Sequence, residues 1–569
     1  MKIRERMGED AMGSLLLRGY APLIVIVITL ALLVLLVPSK GPTERAVQAN
    51  STEETDTTAQ PGPADVSTSI DPSAPVTTTP AGGSGTTPGG QGKSGSASGS
   101  GSAQPPGAVP GGIATVAADC EGGTRQTKEP YSPPCIKFSG ENGGATSPGV
   151  SGDTIKVAIR EGNLPSLYAV AGQVAEKANI KDTNEDIRRT TIAYFDYFNK
   201  KFETYGRKVE PVFYKGQGDQ LAEFFGGGVE TANADAVRVG QEIKAFADLS
   251  VLTAPYADAL VRQKVIAIPP IHMSRKWYAD RAPYAYGVFV DCSRLLEAIV
   301  DYGVKRLIGY PARYAGDPAL RSKDRTIGLI VPEEPWYQEC ANKGVEMFEA
   351  QGTKITHRIN YKLDFTRLSS DAVGMAAQMK DKGITTLVCA CDPILPLFLA
   401  TQATQQNYRP EWAVVGTALT DVDLLGQIYD QEQWRHAAGL SFLNDISNGP
   451  KSEAYRVYKA IRDDEPAFTN SILYYPILLA FIGIHMAGPN LTPETFRQGL
   501  FNYPPTSGET GVWSFGPDDL TATDDAREIY WDPKALSPFN NEPGHYVQSL
   551  EGRYNTNWPK GEVTLPIEP

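Results

Sequence analysis

Polar and aromatic side chains that could bind a small molecule follow the short apolar runs of this chain. Such runs, at residues 154–159, 250–253, 265–268, 326–331, 385–390 and 412–415, are typical of buried strands. In open α/β sheets, ligands bind beyond the carboxyl ends of the strands. The candidate ligand-binding residues are therefore those that come soon after each run: Leu164, Tyr256, His272, Ser274, Trp336, Tyr337, Asp392, Thr417 and Asp421.

These candidates also have structural interpretations. Asp392 and Asp421 could each cap the helix that follows them. Trp336 and Tyr337 could be core or surface aromatics, although a position just after a strand suits stacking on a ligand. His272 could be a satisfied polar residue rather than a ligand contact. Position after a strand is thus the only support for each contact.

The chain lacks the residue patterns of common catalytic and metal sites. Its five histidines form no HExxH or other metal-ligand spacing, and no GxSxG is present. The acidic residues at 518–525 lack the glycine and the terminal glutamate of a calcium-binding EF-hand loop. We therefore expect no catalytic residues, no metal and no cofactor. The net charge of −13 argues against nucleic acid as a partner, because nucleic-acid binders carry basic surfaces.

The elements that would position the candidates alternate between strand and helix. A predicted helix at 185–205 lies between the predicted strands 154–159 and 209–214, and a second alternating series runs from 326 to 415. After residue 440 the pattern is helical, and the apolar stretch 470–486 is predicted to be a packed core helix rather than a membrane span. Two alternating series predict an α/β protein with two lobes, each with a parallel sheet that helices cover.

The N-terminal part of the chain predicts a membrane anchor on a flexible tether. Ala21–Val37 is an uncharged apolar run, which at about 1.5 Å per residue nearly spans a hydrocarbon core of roughly 30 Å. The basic residues before it favour a cytoplasmic segment 1–20 and a transmembrane anchor at 21–38, with a cleaved signal peptide as the alternative. Residues 39–112, rich in Ser, Thr, Gly and Pro, are predicted to be a disordered linker. The C-terminal domain is then extracytoplasmic, held at the cell membrane by a single span.

Six cysteines follow the predicted anchor, and an oxidising compartment would allow them to form disulfides. Cys120 and Cys135 flank a Gly- and Pro-rich stretch in the predicted N-terminal loop segment 113–150, so they are the expected pair. The state of the other four stays open between pairing and burial as small apolar side chains: Cys292, Cys340, Cys389 and Cys391.

Four stretches together resemble the type I extracytoplasmic solute-binding proteins of ABC importers, the branched-chain amino-acid receptors of the Leu/Ile/Val-binding protein family. These are GVSGDTIKV (149–157), YFNKKFETYGRKVEPVFY (197–214), LTPETFR (491–497) and SFGPDD (514–519). The resemblance implies a periplasmic-binding-protein-like type I fold, with two Rossmann-like lobes joined by a three-crossover hinge. It implies that lobe 1 comprises 151–290 plus 443–508, and lobe 2 comprises 291–442 plus 509–569.

The resemblance also implies a function. It is that of a membrane-tethered solute-binding protein, not an enzyme, which captures an amino acid, an amide or a related small polar or aromatic compound in the interlobe cleft for an ABC permease. One departure makes an amino acid the less favoured ligand. Family members that bind amino acids usually have small hydroxyl residues after the third strand, whereas this chain has Pro255 and Tyr256, and a proline removes an amide donor. The alternatives are a ligand-sensing ectodomain that acts through partner proteins without transport, and an extracytoplasmic enzyme on a similar scaffold.

Overall fold

The computed structural model describes residues 107–162, 181–224, 226–270, 273–443 and 449–566. The predicted anchor at 21–38 and the linker up to residue 106 lie outside the described residues, and so do the candidates Leu164 and His272. The predictions for those segments therefore stay predictions.

The N-terminal segment 107–150 is packed on the first lobe. It contains an antiparallel hairpin of β1 (Gly112–Val116) and β2 (Ile136–Gly140). A disulfide joins Cys120 to Cys135, the expected pair. The Gly107 amide donates to the Ala487 carbonyl at 2.9 Å. Residues 107–112, predicted as linker, therefore contact the folded domain, and the predicted loop segment 113–150 contains a small sheet.

The first lobe is built on a four-stranded parallel sheet. Its strands are β3 (Thr154–Glu161), β4 (Lys208–Lys215), β5 (Ala247–Asp248) and β6 (Ile266–Ala267). They are ordered β4-β3-β5-β6. The third strand is shorter and ends earlier than the predicted 250–253, and this difference moves the loop that follows it.

The second lobe is built on a seven-stranded sheet. Its strands are β7 (Ile327–Pro332), β8 (His357–Tyr361), β9 (Thr386–Cys389), β10 (Glu411–Val414), β11 (Ala437–Ser441), β14 (Arg527–Leu536) and β15 (Pro543–Gln548). A separate hairpin pairs β12 (Thr506–Gly508) with β13 (Gly511–Trp513). The sheet order is β15-β14-β11-β10-β9-β7-β8. Strands β7 to β11 are parallel, whereas β14 and β15 are antiparallel, so the second sheet is mixed rather than purely parallel.

Helices cover both sheets. Along the chain they are α1 (Asn184–Lys201), α2 (Gln220–Phe224), α3 (Val229–Val237), α4 (Ala254–Arg262), α5 (Arg275–Ala279), α6 (Cys292–Tyr302), α7 (Pro335–Ala350), α8 (Phe365–Asp381), α9 (Leu395–Gln405), α10 (Asp423–Gly426), α11 (Gln431–Trp434), α12 (Glu453–Lys459), α13 (Asn470–Ala487) and α14 (Pro493–Asn502). Among the described residues, α13 alone is long and apolar enough to span a membrane, but 89% of that stretch is buried inside the protein. This burial confirms the predicted core helix.

Three connections between the lobes lie side by side. The Thr523 hydroxyl donates to the Val288 carbonyl at 3.0 Å, and Nε of Arg527 donates to the Leu443 carbonyl at 2.8 Å. These contacts tie the third connection to the first and to the second. The three adjacent connections form the three-crossover hinge that the resemblance implies. Residues 513–522, predicted to belong to lobe 2, contribute to the core of the first lobe, so the third connection crosses after Ala522.

Candidate functional site

Two cavities open where the strands of the second sheet end. The first, here called the cleft cavity, opens beside the first lobe and extends into the second lobe, and it holds about 1430 Å³ of empty space, part of it open to solvent. The second, here called the hinge cavity, lies beside the crossovers and holds about 1040 Å³ on the same basis. Both have walls from the two lobes.

The mouth of the cleft cavity is built by the loops that follow five strands. After β5 and β6, the first lobe contributes Leu252, Thr253, Ala254 and Met273. After β7, β9 and β10, the second lobe contributes Trp336, Tyr337, Ala390, Val415 and Ala418. Because parallel strands all end at one edge of their sheet, these loops converge, which is the arrangement that binds ligands in open α/β folds.

Trp336 and Tyr337 are the two sequence candidates that line this cavity. Both lie in the first turn of α7, directly after β7. The Trp336 ring packs against the core of the first lobe, and a Cβ added at Gly226 of that lobe would lie 3.8 Å from its Cη2 atom. Burial raises the pKa of the Tyr337 hydroxyl, so it stays neutral at physiological pH. Trp336 therefore bridges the two lobes at the mouth.

A buried ionic network backs the first-lobe wall. Both terminal nitrogens of Arg160 contact the Glu223 carboxylate at 2.8 Å, and the Thr253 hydroxyl donates to the same carboxylate at 2.6 Å. Burial lowers the pKa of Arg160, but its hydrogen bonds and charge contact with Glu223 outweigh that effect and raise the pKa overall. Glu223 is thus a lining carboxylate that is hydrogen-bonded but shares its cation with a second carboxylate, since Arg160 also lies 3.3 Å from Asp235.

Tyr256 lies inside the first lobe and not at the cavity wall, contrary to the prediction. Its side chain is fully buried, its hydroxyl donates to Asp248 at 2.7 Å, and the Arg160 guanidinium lies 3.8 Å from its ring centroid. The reason is the early end of β5. Residues 249–253 form the loop after the strand, and Tyr256 falls in the first turn of α4.

Ser274 caps a helix, and Asp392 is hydrogen-bonded in the turn that leads into one. The Ser274 hydroxyl accepts from the Trp277 amide at 3.0 Å at the start of α5. Asp392, 1% exposed, accepts from the Ile394 and Leu395 amides at 2.7 and 3.1 Å and from the Tyr361 hydroxyl. The Asp392 carboxylate is therefore engaged within its own lobe, and neither residue lines either cavity.

Asp421 lines the hinge cavity rather than the cleft cavity. Its Oδ2 atom accepts from the Ser441 hydroxyl, and its Oδ1 atom has no hydrogen-bond partner in the described part of the chain. Burial raises the pKa of this carboxyl. Thr417 begins the short turn Thr417–Leu419, and its side chain is not among those that the structure describes. In that turn Ala418 and Leu419 have φ of 49° and 64°, values that are uncommon for residues other than glycine and that concentrate at functional sites.

Sequence reasoning missed the first-lobe part of the site. Thr253-Ala254-Pro255 is a helix-start pattern, with an N-cap residue followed by a proline in the first turn. This pattern could have shown that the strand ends before Thr253 and that Leu252 and Thr253 belong to the loop. In the described ranges, no cluster of three His, Cys, Asp or Glu side chains could hold a metal ion.

Two α/β lobes, three adjacent crossovers and a cavity between the lobes define the class of two-lobed periplasmic receptors. The chain belongs to the periplasmic binding protein family, of type I, because the family model matches residues 174–534. No curated protein sequence matches the chain.

Solved structures with a similar fold share little sequence with this chain. One is a solute-binding protein of an ABC transporter from Rhodopseudomonas palustris BisB5 in complex with 3,4-dihydroxybenzoic acid, with 14% identity, a TM-score of 0.48 and coverage of 71% of this chain and 98% of that one. A periplasmic binding protein from Burkholderia mallei has 12% identity, a TM-score of 0.49 and coverage of 72% and 97%. A branched-chain amino acid transporter substrate-binding protein from Streptococcus pneumoniae in complex with isoleucine has 14% identity, a TM-score of 0.45 and coverage of 70% and 100%.

Proposed function

We propose that the protein is a membrane-tethered, extracytoplasmic solute-binding protein that captures a small molecule in the cleft cavity and delivers it to an ABC permease. The observation that carries the proposal is the convergence of loops from both sheets on one cavity, in a chain of the periplasmic binding protein family. The N-terminal apolar run supports the tether. The protein forms and breaks no covalent bond in this function.

Closure of the two lobes on the ligand is the mechanism. Trp336 and Tyr337 belong to the second lobe, and Leu252 and Thr253 belong to the first. A ligand can therefore contact all four residues only in the closed form. A ligand shifts the equilibrium between the open and the closed form by its difference in affinity for the two forms. Here that difference comes from the second lobe wall, which the ligand contacts only in the closed form. A permease would then distinguish loaded from empty receptor by the angle between the lobes.

A ligand screen tests the binding function. The full chain in lipid nanodiscs is heated with amino acids, amides, sugars, aromatic acids and neutral apolar compounds in turn. A true ligand at about 100 times its Kd should add roughly 2.7 kcal/mol to the stability of the folded state. Trp336→Ala should abolish the ligand-induced shift. Asp392→Ala is the control, because it removes the hydrogen bonds to the amides at the start of α9 and should lower the melting temperature without removing the shift. Failure of every compound class to stabilise the protein would overturn the proposal.

An uptake assay tests the transport step. Cells that lack the gene should lose uptake of the ligand found in the screen, and the wild-type gene should restore it where the Trp336→Ala gene does not. Undiminished uptake in the deletion strain would contradict transport and would favour a ligand-sensing ectodomain.

A further inference from the structure

We infer that the ligand of the cleft cavity is a neutral, hydrocarbon-rich molecule. Its chain enters between the lobes and extends into the second lobe, between the sheet and the helices α6 and α7. This inference rests on the proposed function and names the ligand class of the same site.

The walls of the deep part of the cavity are aliphatic. One wall is the face of the second sheet and the opposite wall is the inner side of α6 and α7, with side chains such as Leu329, Val388, Leu440, Leu295, Ile299 and Val345. A pocket with these walls offers a ligand dispersion contacts and removal of apolar surface from water. The polar side chains among its lining residues include Glu223 and Thr253 of the first lobe and the hydroxyls of Tyr302 and Tyr337, so the aliphatic walls between them offer a polar ligand no hydrogen bonds.

The layer between the sheet and α7 is incompletely filled. On α7 only Ala341 and Gly344 are buried, and the core cluster beneath that helix contains three buried residues. The opposite face of the same sheet is covered by a continuous core that extends through α8 and α9. Protein interiors normally leave few voids larger than a water molecule, and an apolar cavity that stays empty of water binds apolar ligands. The unfilled layer is therefore suited to a hydrocarbon chain.

A covalent tie frames this layer. The disulfide Cys292–Cys340 joins α6 to α7, and both of its residues line the cavity. The two helices that roof the cavity are thus fixed to each other at one point along the cavity wall.

The charges at the cavity disfavour an anionic or zwitterionic ligand. Among the described lining residues, Glu223 is the one with a charged side chain, and Arg160 and Thr253 already satisfy its carboxylate. A ligand carboxylate would meet a negative group, and a ligand ammonium would compete with Arg160 for it. Because burying an unpaired charge is costly, the cavity favours a neutral head group such as an alcohol or an amide.

Photo-crosslinking tests the inference on the full chain in lipid nanodiscs. The probes are a long-chain alcohol with a diazirine in its chain, the carboxylic acid of the same chain, and photoleucine. Cross-linked peptides are identified by mass spectrometry, so a probe dissolved in the lipid is distinguished from a probe in the cavity. We expect the alcohol to label peptides of α6, α7 and β9, at least tenfold more strongly than the acid or photoleucine does.

Matched variants locate the site. Val388→Trp fills the cavity and should reduce the labelling at least tenfold, whereas Val373→Trp, the same change at an exposed position of α8, should leave it unaltered. Ala413→Leu is a smaller change on the cavity wall and should reduce the labelling severalfold. If Val388→Trp does not fold, Ala413→Leu tests the location of the site in its place. Equal labelling of the two tryptophan variants, or stronger labelling by the acid or by photoleucine, would overturn the inference. In the ligand screen, stabilisation by polar compounds alone would also overturn it while leaving the proposed function intact.

Discussion

The buried carboxyl of Glu453 should make the stability of the first lobe fall as the pH rises. Glu453 is 0% exposed in α12, and its Oε1 atom accepts from the Tyr474 hydroxyl at 3.0 Å. Burial, and then the nearby charges of Glu129 and Glu509, raise its pKa from 4.5 to about 8, while Tyr474 and Arg456 oppose the shift. The folded lobe therefore holds a proton that the unfolded chain releases above pH 4.5.

The sign and size of this effect follow from linkage. The folded pKa is the higher one, so the stabilisation is fully present below pH 4.5 and is lost progressively as the pH rises through about 8. At about 1.4 kcal/mol per pKa unit, the loss over that window is on the order of 5 kcal/mol. The variant Glu453→Gln keeps a neutral side chain at every pH and should lack this loss.

Urea unfolding at pH 5 and pH 8 measures the effect. Trp513 is fully buried in the first lobe and stacks on Tyr131 with ring centroids 4.3 Å apart, so it contributes a first-lobe signal to the fluorescence of the chain's seven tryptophans. Wild type should lose several kcal/mol more than Glu453→Gln between the two pH values. Glu349→Gln, at an exposed position, is the control and should behave like wild type. If Glu453→Gln and wild type lose the same amount of stability, Glu453 is not protonated in the folded lobe and the argument is wrong.

Three further predictions concern other buried groups. Burial lowers the pKa of His485 to about 4, and both ring nitrogens are hydrogen-bonded. The first lobe should therefore lose on the order of 3 kcal/mol of folding stability as the pH falls from 6.5 through 4. Urea unfolding of His485→Gln should not show this loss. Glu411→Gln breaks the buried pair with Arg325, whose Nε and Nη2 atoms lie 2.7 and 2.9 Å from its carboxylate, and calorimetry should show a destabilisation of about 3–5 kcal/mol. The double variant Cys292→Ser, Cys340→Ser removes the disulfide between residues 48 positions apart and should lower the folding stability by roughly 4 kcal/mol under non-reducing conditions. An unchanged melting temperature would contradict the disulfide.

The alternation of strand and helix could be predicted from the sequence because each element carries its own periodic pattern. The missed helix α6 has such a pattern as well, since Cys292, Leu295, Leu296 and Ile299 recur at helical spacing after the N-cap Asp291. The antiparallel strands β14 and β15 are different. Their pairing depends on which edge of the second sheet the chain reaches after the third crossover, and no local pattern encodes that choice.

The candidate site was predicted only in part, because position after a strand does not say where a side chain finds its partners. Trp336 packs its ring against the core of the first lobe, so it remains at the mouth of the cleft cavity. Asp392 finds two backbone amides and a hydroxyl within its own lobe, so it turns inward. A polar group that is hydrogen-bonded inside its own lobe and one that is free to contact a ligand have the same sequence context. Only the packed structure distinguishes the two.

Two independent observations now argue against an amino acid as the ligand. The N-terminus of α4 opens towards the cleft, and helix N-termini commonly hold carboxylates through free amides. Here Pro255 removes one of those amides, and the Thr253 hydroxyl is committed to Glu223. The second observation is the Glu223 carboxylate itself, which places negative charge beside the position where a ligand carboxylate would bind. Since the backbone and the side-chain charge both disfavour an anion there, the aliphatic interior of the second lobe supplies the contacts that bind the ligand.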